Sequence, residues 1–202
     1  MDFIAFDLET TGTHPQEDEI VEIGAVRFVG LQAQEGFGKL INPGVPIPPD
    51  AQAVNGISDE MVSGKPKIEE VLGDFADFCG ELPLVAHNAP FDYKFLSAAI
   101  DRAKGAAPKG VVLDTLPLAR KIFPRLPNYK LWTLVRHFNF PSAAFHRAEE
   151  DSSYCGMLFA KIIETLQQRQ EACSVEALLE LIGKEPLIFP QYKDHRDQLD
   201  LF

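Results

Sequence analysis

Asp7 and Glu9 stand two apart at the end of an apolar run, residues 2–8 (DFIAFDL). Side chains alternate along a strand, so the two acids share one face while Leu8 points into the core. Like charges held that close repel and raise each other's pKa. A divalent cation reverses this logic, and carboxylate oxygens suit hard ions such as magnesium or manganese. An acidic pair at a strand end can equally be a solvated surface feature, and the pair alone leaves both readings open. Its continuation, Thr10-Thr11-Gly12, implies a tight turn whose backbone N–H groups are free to face an anionic or sugar ligand.

Two further segments carry the residue types that would complete such a site. His87-Asn88-Ala89-Pro90-Phe91-Asp92 follows a short buried strand and opens a helix. Asn88 or Asp92 could cap that helix; alternatively, Asp92 meets Asp7 and Glu9 from a neighbouring strand end. His146 and Asp151 lie five apart, so they do not share a helix face. The natural arrangement puts His146 in the loop before a long helix and Asp151 in its first turns. Asp151 there could also simply favour the helix N-terminus, with His146 a surface loop residue.

The elements that must position these residues follow from periodicity. Residues 2–8, 20–29 and 36–42 read as three strands of an antiparallel meander. Leu31-Gln32-Ala33-Gln34 shows no pattern. Residues 43–50 (PGVPIPPD) cannot continue a ladder, because proline lacks the donor. Residues 68–79 place Ile68, Val71, Leu72, Phe75 and Phe78 on one helical face. Strands at 83–87 and 111–114 alternate with helices at 91–103, 115–123 and 130–138. A long helix at 148–170 and a short one at 174–183 follow. Antiparallel strands, then strand–helix alternation, imply an α/β fold: a mixed sheet with helices on both faces. Trp132 reads as core packing on an amphipathic helix, although an indole could also stack a base. Residues 184–197, with two prolines and a charged run, read as a linker.

Bulk composition narrows the function class. The 202 residues, 46% apolar, suffice for one domain with an appendage. Their apolar runs are too short to span a bilayer, and the first residues already carry strand-type acids unlike a signal peptide. Cys79, Cys155 and Cys173 are odd in number and lack metal-type spacing, which suits free thiols in a reducing cytoplasm. The net charge of −11 excludes a basic surface over the whole molecule. Either nucleic acid is not the substrate, or only a chain end is gripped and bound cations neutralise part of the acid.

In their order and separation, the D-x-E-T-T-G strand and the H-N-x-x-F-D and H-R-A-x-x-D segments resemble the DEDDh exonucleases. That family includes the epsilon proofreading subunit of bacterial replicative polymerases, ribonuclease T and oligoribonuclease. The resemblance covers about residues 1–166, leaving 167–183 as a helical extension and 184–202 as linker and tail. Ile23-Gly24-Ala25-Val26, Asn55-Gly56-Ile57 and Asp114-Thr115 with Leu118-Ala119-Arg120 extend it. It implies a ribonuclease-H-like fold and two divalent metal ions, Mg2+ or Mn2+. Asp7 matches the ligand touching both metals, Glu9 and Asp151 match ligands of the first, and Asp92 matches the carboxylate near the second. His146 matches the general base. Thr10, Thr11 and Gly12 match contacts to the terminal nucleotide, and Ile57 lies in the segment that packs on its base or sugar. His87, Asn88 and Phe91 are further substrate-side candidates, with core packing an equal reading for Phe91. Asp114-Thr115 reads as a helix cap, with a place near the metal shell as the other reading.

Gln198-Leu199-Asp200-Leu201-Phe202 resembles the short peptide by which bacterial replication and repair proteins grip the sliding clamp. Leu199, Leu201 and Phe202 would fill apolar pockets and Gln198 would hydrogen-bond. The other reading is that Leu201 and Phe202 fold back on the domain. Together these features imply a 3′→5′ exonuclease that removes 5′-mononucleotides from DNA 3′ ends in proofreading or repair, recruited by the clamp. A polymerase subunit is a further partner that the resemblance allows. Two alternatives stand beside it: a ribonuclease trimming RNA 3′ ends with the same five residues, and a catalytically idle clamp adaptor.

Overall fold

β1 (Phe3–Thr10) is buried on both faces, so it reads as an almost unbroken apolar run. Phe3 and Ala5 pack on one side of the sheet, and Ile4, Phe6 and Leu8 on the other. β2 (Ile20–Val29) and β3 (Gln32–Leu40) continue antiparallel from it, and β4 (Leu84–Ala86) and β5 (Val112–Asp114) add in parallel. The strand order is β3-β2-β1-β4-β5, the mixed sheet implied by the element pattern. The computed structural model describes residues 1–141 and 147–192; His146 and the 198–202 tail fall outside these.

Helices cover both faces. α3 (Ile68–Cys79) and α4 (Pro90–Ala103) close one core around Ile4, Phe6 and Phe75. α5 (Thr115–Ile122), α6 (Leu131–His137), α7 (Ala148–Gln168) and α8 (Val175–Ile182) close the other around Phe3, Phe28 and Phe159. The expected helix at 68–79 coincides with α3, and the remaining expected helices differ from the observed ones only at their ends.

The structure departs from the sequence reading in four places. β3 starts at Gln32, after a turn with positive φ at Gly30 and Leu31. As an edge strand with mostly exposed residues, it carries little apolar pattern. Within and after the proline-rich stretch, α1 (Pro49–Asn55) and α2 (Asp59–Val62) form two helices too short for periodicity to reveal. Pro49 opens α1 at a position where its missing N–H is not needed. Trp132 is 44% exposed rather than core.

The fourth departure is the linker. Leu187 pairs with Val112 beside β5, and Phe189 is buried against Phe6 and Tyr93. The Tyr192 hydroxyl bonds Asp101 and accepts from Lys104. The expected linker is therefore anchored to the domain through Leu187, Phe189 and Tyr192. It covers the β5 edge and fills a gap in the core, which a hydrophilic linker could not do.

Candidate active site

Four carboxylates converge where β1, α4 and α7 meet. Asp7 and Glu9 leave β1 on the face toward α7, as alternation requires. Asp7, Glu9 and Asp151 each present an oxygen within 4.8 Å of the others. Asp92 joins from α4: it is buried, and its Oδ1 accepts the Leu8 N–H at 3.2 Å, between the two β1 acids. The N-cap of α4 is Ala89, with no side-chain cap bond, so neither Asn88 nor Asp92 caps that helix.

The approach of α7 has a sequence cause in β2. Gly24 pairs with Asp7 across the ladder. A Cβ on Gly24 would lie 2.0 Å from the Ala148 carbonyl carbon and 2.1 Å from the Glu149 nitrogen. The first turn of α7 thus rests on bare backbone, and the Ser152 hydroxyl donates to the Gly24 carbonyl at 2.9 Å. Glu22 pairs with Glu9 in the same ladder and is almost fully buried. Arg147 clamps it, with Nη2 donating to Oε1 at 2.6 Å and Nε at 3.1 Å, and the Ala148 N–H reaches Oε2 at 3.1 Å. β2 therefore sets the position from which α7 delivers Asp151. The sequence reading missed Glu22 and Arg147. Their signal was available: a lone acid inside the apolar run IVEIGAV, and a cation beside His146.

The cluster is electrostatically strained. Burial, then the charges of Asp92, Glu9, Asp151 and Glu22, hold the Asp7 carboxyl well above the usual range. Burial, then Asp151 and Glu22, raise Glu9 to about 7 against the opposing pull of Arg147. Burial raises Asp92 to about 8, although the Leu8 N–H pulls the other way. Left to itself, such a cluster keeps protons near neutral pH. A hard divalent cation would replace them, and an all-oxygen donor set with this spacing fits magnesium or manganese.

The substrate-side candidates divide. Asn88 is exposed, with left-handed backbone at φ 67°, and its N–H bonds Asp114, which also caps α5 through the Leu116 N–H. Thr10 donates to the Gly12 carbonyl. The Thr11 N–H bonds the Glu19 carbonyl and its hydroxyl accepts the Glu19 N–H. The turn thus offers no free N–H at Thr11, contrary to the sequence reading. A Cβ at Gly12 would displace the Asp18 carboxylate, which accepts the His14 N–H and the Thr11 hydroxyl.

Three other candidates are structural in position. Ile57 is fully buried with Val21, Ile47 and Val62, leaving no surface for a base. Phe91 packs against Phe95, the core reading. Both His87 ring nitrogens are bonded, Nε2 to the Tyr129 carbonyl at 2.7 Å and Nδ1 to the Thr115 hydroxyl at 2.8 Å. Burial lowers the His87 pKa, so the neutral ring donates from Nε2 and accepts at Nδ1. His87 pins the 123–130 loop to the end of β4 and has no free nitrogen for a ligand.

A family model described as exonuclease (RNase T) matches residues 4–159. DNA polymerase III subunit epsilon of Treponema pallidum is 42% identical over 163 residues, covering 80% of this chain and 76% of that protein. The corresponding subunit of Aquifex aeolicus is 37% identical over 164 residues, 81% of each. The PolC-type DNA polymerase III of Caldanaerobacter subterraneus is 40% identical over 83% of this chain, but the chain spans only 12% of that protein. Among solved structures, exonuclease X in complex with 5′ overhanging duplex DNA superposes with a TM-score of 0.70 at 28% identity, over 90% of this chain and 99% of that one. E. coli exonuclease I with a dT13 oligonucleotide shares the fold, with a TM-score of 0.72 at 16% identity over 84% of this chain and 42% of that one. With the family model spanning most of the chain and the carboxylate cluster assembled within it, this protein belongs to the exonuclease (RNase T) family, as a homologue of DNA polymerase III epsilon.

Proposed function

We propose that this chain removes 5′-mononucleotides from DNA 3′ ends by metal-dependent hydrolysis, in proofreading or repair. The observation that carries the reading is the meeting of Asp7, Glu9 and Asp151 oxygens within 4.8 Å, with Asp92 tied to the same strand segment. Similarity to epsilon subunits and to an exonuclease solved with DNA supports DNA as the substrate.

When bound, two divalent cations supply Lewis acidity on both sides of a phosphodiester. Asp7 would contact both ions, Glu9 and Asp151 the first, and Asp92 would stand by the second. His146, neutral, would take the proton from the attacking water. The residue after it, Arg147, is fixed by Glu22, which anchors the chain directly beyond His146. Thr10 and Gly12, next to Glu9, and Asn88, ahead of Asp92, would hold the terminal nucleotide, while Thr11 braces the turn through Glu19.

The division into an exonuclease domain over 1–166, a helical extension over 167–183 and a tail completes the reading. Gln198, Leu199, Asp200, Leu201 and Phe202 would grip the sliding clamp. Tethering raises local concentration and compensates for a net charge of −11 that weakens free association with DNA. Cys79, Cys155 and Cys173 are unbridged, in keeping with a cytoplasmic site of action. No helix among the described residues is long and apolar enough to cross a membrane.

The test is a product ladder on 5′-labelled DNA and RNA oligonucleotides of one sequence, with and without magnesium. Stepwise shortening of DNA from the 3′ end, only with metal, is expected. Preferential shortening of RNA would make the chain a ribonuclease. Absence of products from either substrate with metal present would leave the idle adaptor.

A further inference from the structure

None of the 30 acidic residues lies between Asp114 and Glu149, although six of the 19 lysines and arginines do. In a chain with a net charge of −11 this stretch is a separate electrostatic region. Arg120 and Lys121 sit on α5, Arg125 and Lys130 in the following loop, and Arg136 on α6, all exposed. None of these five joins an ion pair among the described residues. Unpaired cations grouped in this way on an acidic protein make a local positive field that attracts a polyanion.

The same surface carries flat rings. Trp132 is 44% exposed, with the Arg136 guanidinium 4.9 Å from its ring centre. The Arg120 guanidinium lies 5.9 Å from the Tyr129 ring. Cations interleaved with aromatic faces suit a single polynucleotide strand, whose phosphates meet the charges while its bases stack. The surface also begins at the rim of the carboxylate site. His87 ties the Tyr129 carbonyl to the end of β4, from which the chain passes through Asn88 into α4 and Asp92.

We infer that α5, the 123–130 loop and α6 form a track that holds the DNA strand upstream of its 3′ end. The inference rests on the nuclease reading above. It assigns the repulsive carboxylate cluster to the terminal phosphodiester alone, with affinity for the rest of the strand supplied from this neighbouring face.

The test replaces all five cations by glutamine, Arg120→Gln, Lys121→Gln, Arg125→Gln, Lys130→Gln and Arg136→Gln, in the full chain. Hydrolysis of a 30-mer oligothymidylate and of a dinucleotide is compared, together with fluorescence anisotropy of the labelled 30-mer in calcium. The variant should show a KM for the 30-mer raised about tenfold near 0.1 M salt, unchanged kcat, and wild-type hydrolysis of the dinucleotide. Its salt dependence should flatten, by about 0.7 in the log–log slope for each phosphate that is no longer neutralised. Because Trp132 is the only tryptophan, its emission reports stacking directly: the 30-mer should quench it in the wild type and the dinucleotide should not. Equal 30-mer affinity and salt slope in wild type and variant would overturn the track and leave the face for an acidic protein. A wild type that hydrolyses neither substrate would refute the nuclease reading alone. The anisotropy still decides the track in that case: binding abolished in the variant supports it, and binding retained overturns it.

Discussion

Gly24→Ala tests whether the close seat of α7 on β2 sets the geometry of the site. In open surroundings this change in a strand would stabilise the protein by roughly 0.5–1 kcal/mol, because glycine loses the most conformational freedom on folding. Gly24 has no positive φ, so alanine suffers no backbone penalty there. The new methyl would, however, lie 2.0 Å from the Ala148 carbonyl carbon, 2.1 Å from the Glu149 nitrogen and 2.4 Å from the Ala148 oxygen. Ordinary contact between carbon atoms needs about 3.5 Å, so the start of α7 must retreat by roughly 1 Å or more. The sign of the stability change therefore reverses, to a loss of about 1–3 kcal/mol typical of overpacking. Asp151 would move away from Asp7 and Glu9 with the helix. A misplacement of about 1 Å typically costs on the order of 10²-fold in rate. The measurements are a thermal melt and kcat on a short oligonucleotide in saturating manganese. Ser152→Ala, which removes the hydrogen bond to Gly24 without a steric demand, serves as control and should keep its rate while losing about 1 kcal/mol. A Gly24→Ala protein with a raised melting temperature and wild-type kcat would refute the argument.

Asp7→Asn should reduce hydrolysis below detection and raise the melting temperature of the metal-free protein at pH 8, since burial and four neighbouring carboxylates oppose its charge; differential scanning fluorimetry in EDTA checks this. Glu9 and Asp92 have folded pKa values above their unfolded ones, from 4.5 to about 7 and from 3.8 to about 8. The folded metal-free protein then binds more protons than the unfolded chain between about pH 4 and 8, and its stability falls as pH rises through that window. Glu9, being partly exposed, contributes on the order of 1–2 kcal/mol to this fall; saturating magnesium should flatten the pH–stability curve, and an unchanged slope would speak against metal at the cluster. His146→Ala should slow hydrolysis by ~10²–10⁴-fold while calorimetry shows metal binding retained, in line with a base rather than a ligand. Deleting residues 198–202 should abolish binding to a bacterial sliding clamp and spare hydrolysis of short oligonucleotides, with Leu201 and Phe202 each contributing roughly 1.5–3 kcal/mol to the contact; undiminished binding by the truncated protein in a titration would reject the tail assignment.

Local pattern alone determined several features of this protein. The period of two in β1 placed Asp7 and Glu9 on one face and Leu8 on the other. The 3.6 period over 68–79 marked α3 and its buried side, and strand–helix alternation implied the covered mixed sheet. Such patterns depend on neighbours a few residues away, so they survive without the rest of the molecule. What faces each surface was decided only by tertiary structure. Glu22 is opposite Glu9 because of ladder register, and it is neutralised by Arg147 across 125 residues of chain. His87, Thr11 and Ile57 carry residue types suited to ligand contact, yet packing committed His87 to Thr115 and Tyr129, Thr11 to Glu19, and Ile57 to a small apolar cluster. Trp132 and Phe189 changed places relative to their sequence context: the helical indole is exposed, and the phenyl ring from an apparent linker is buried. Periodicity reports which side of an element is apolar. Whether that side is covered, and by which distant residue, depends on contacts between parts of the chain that carry no information about each other until they meet.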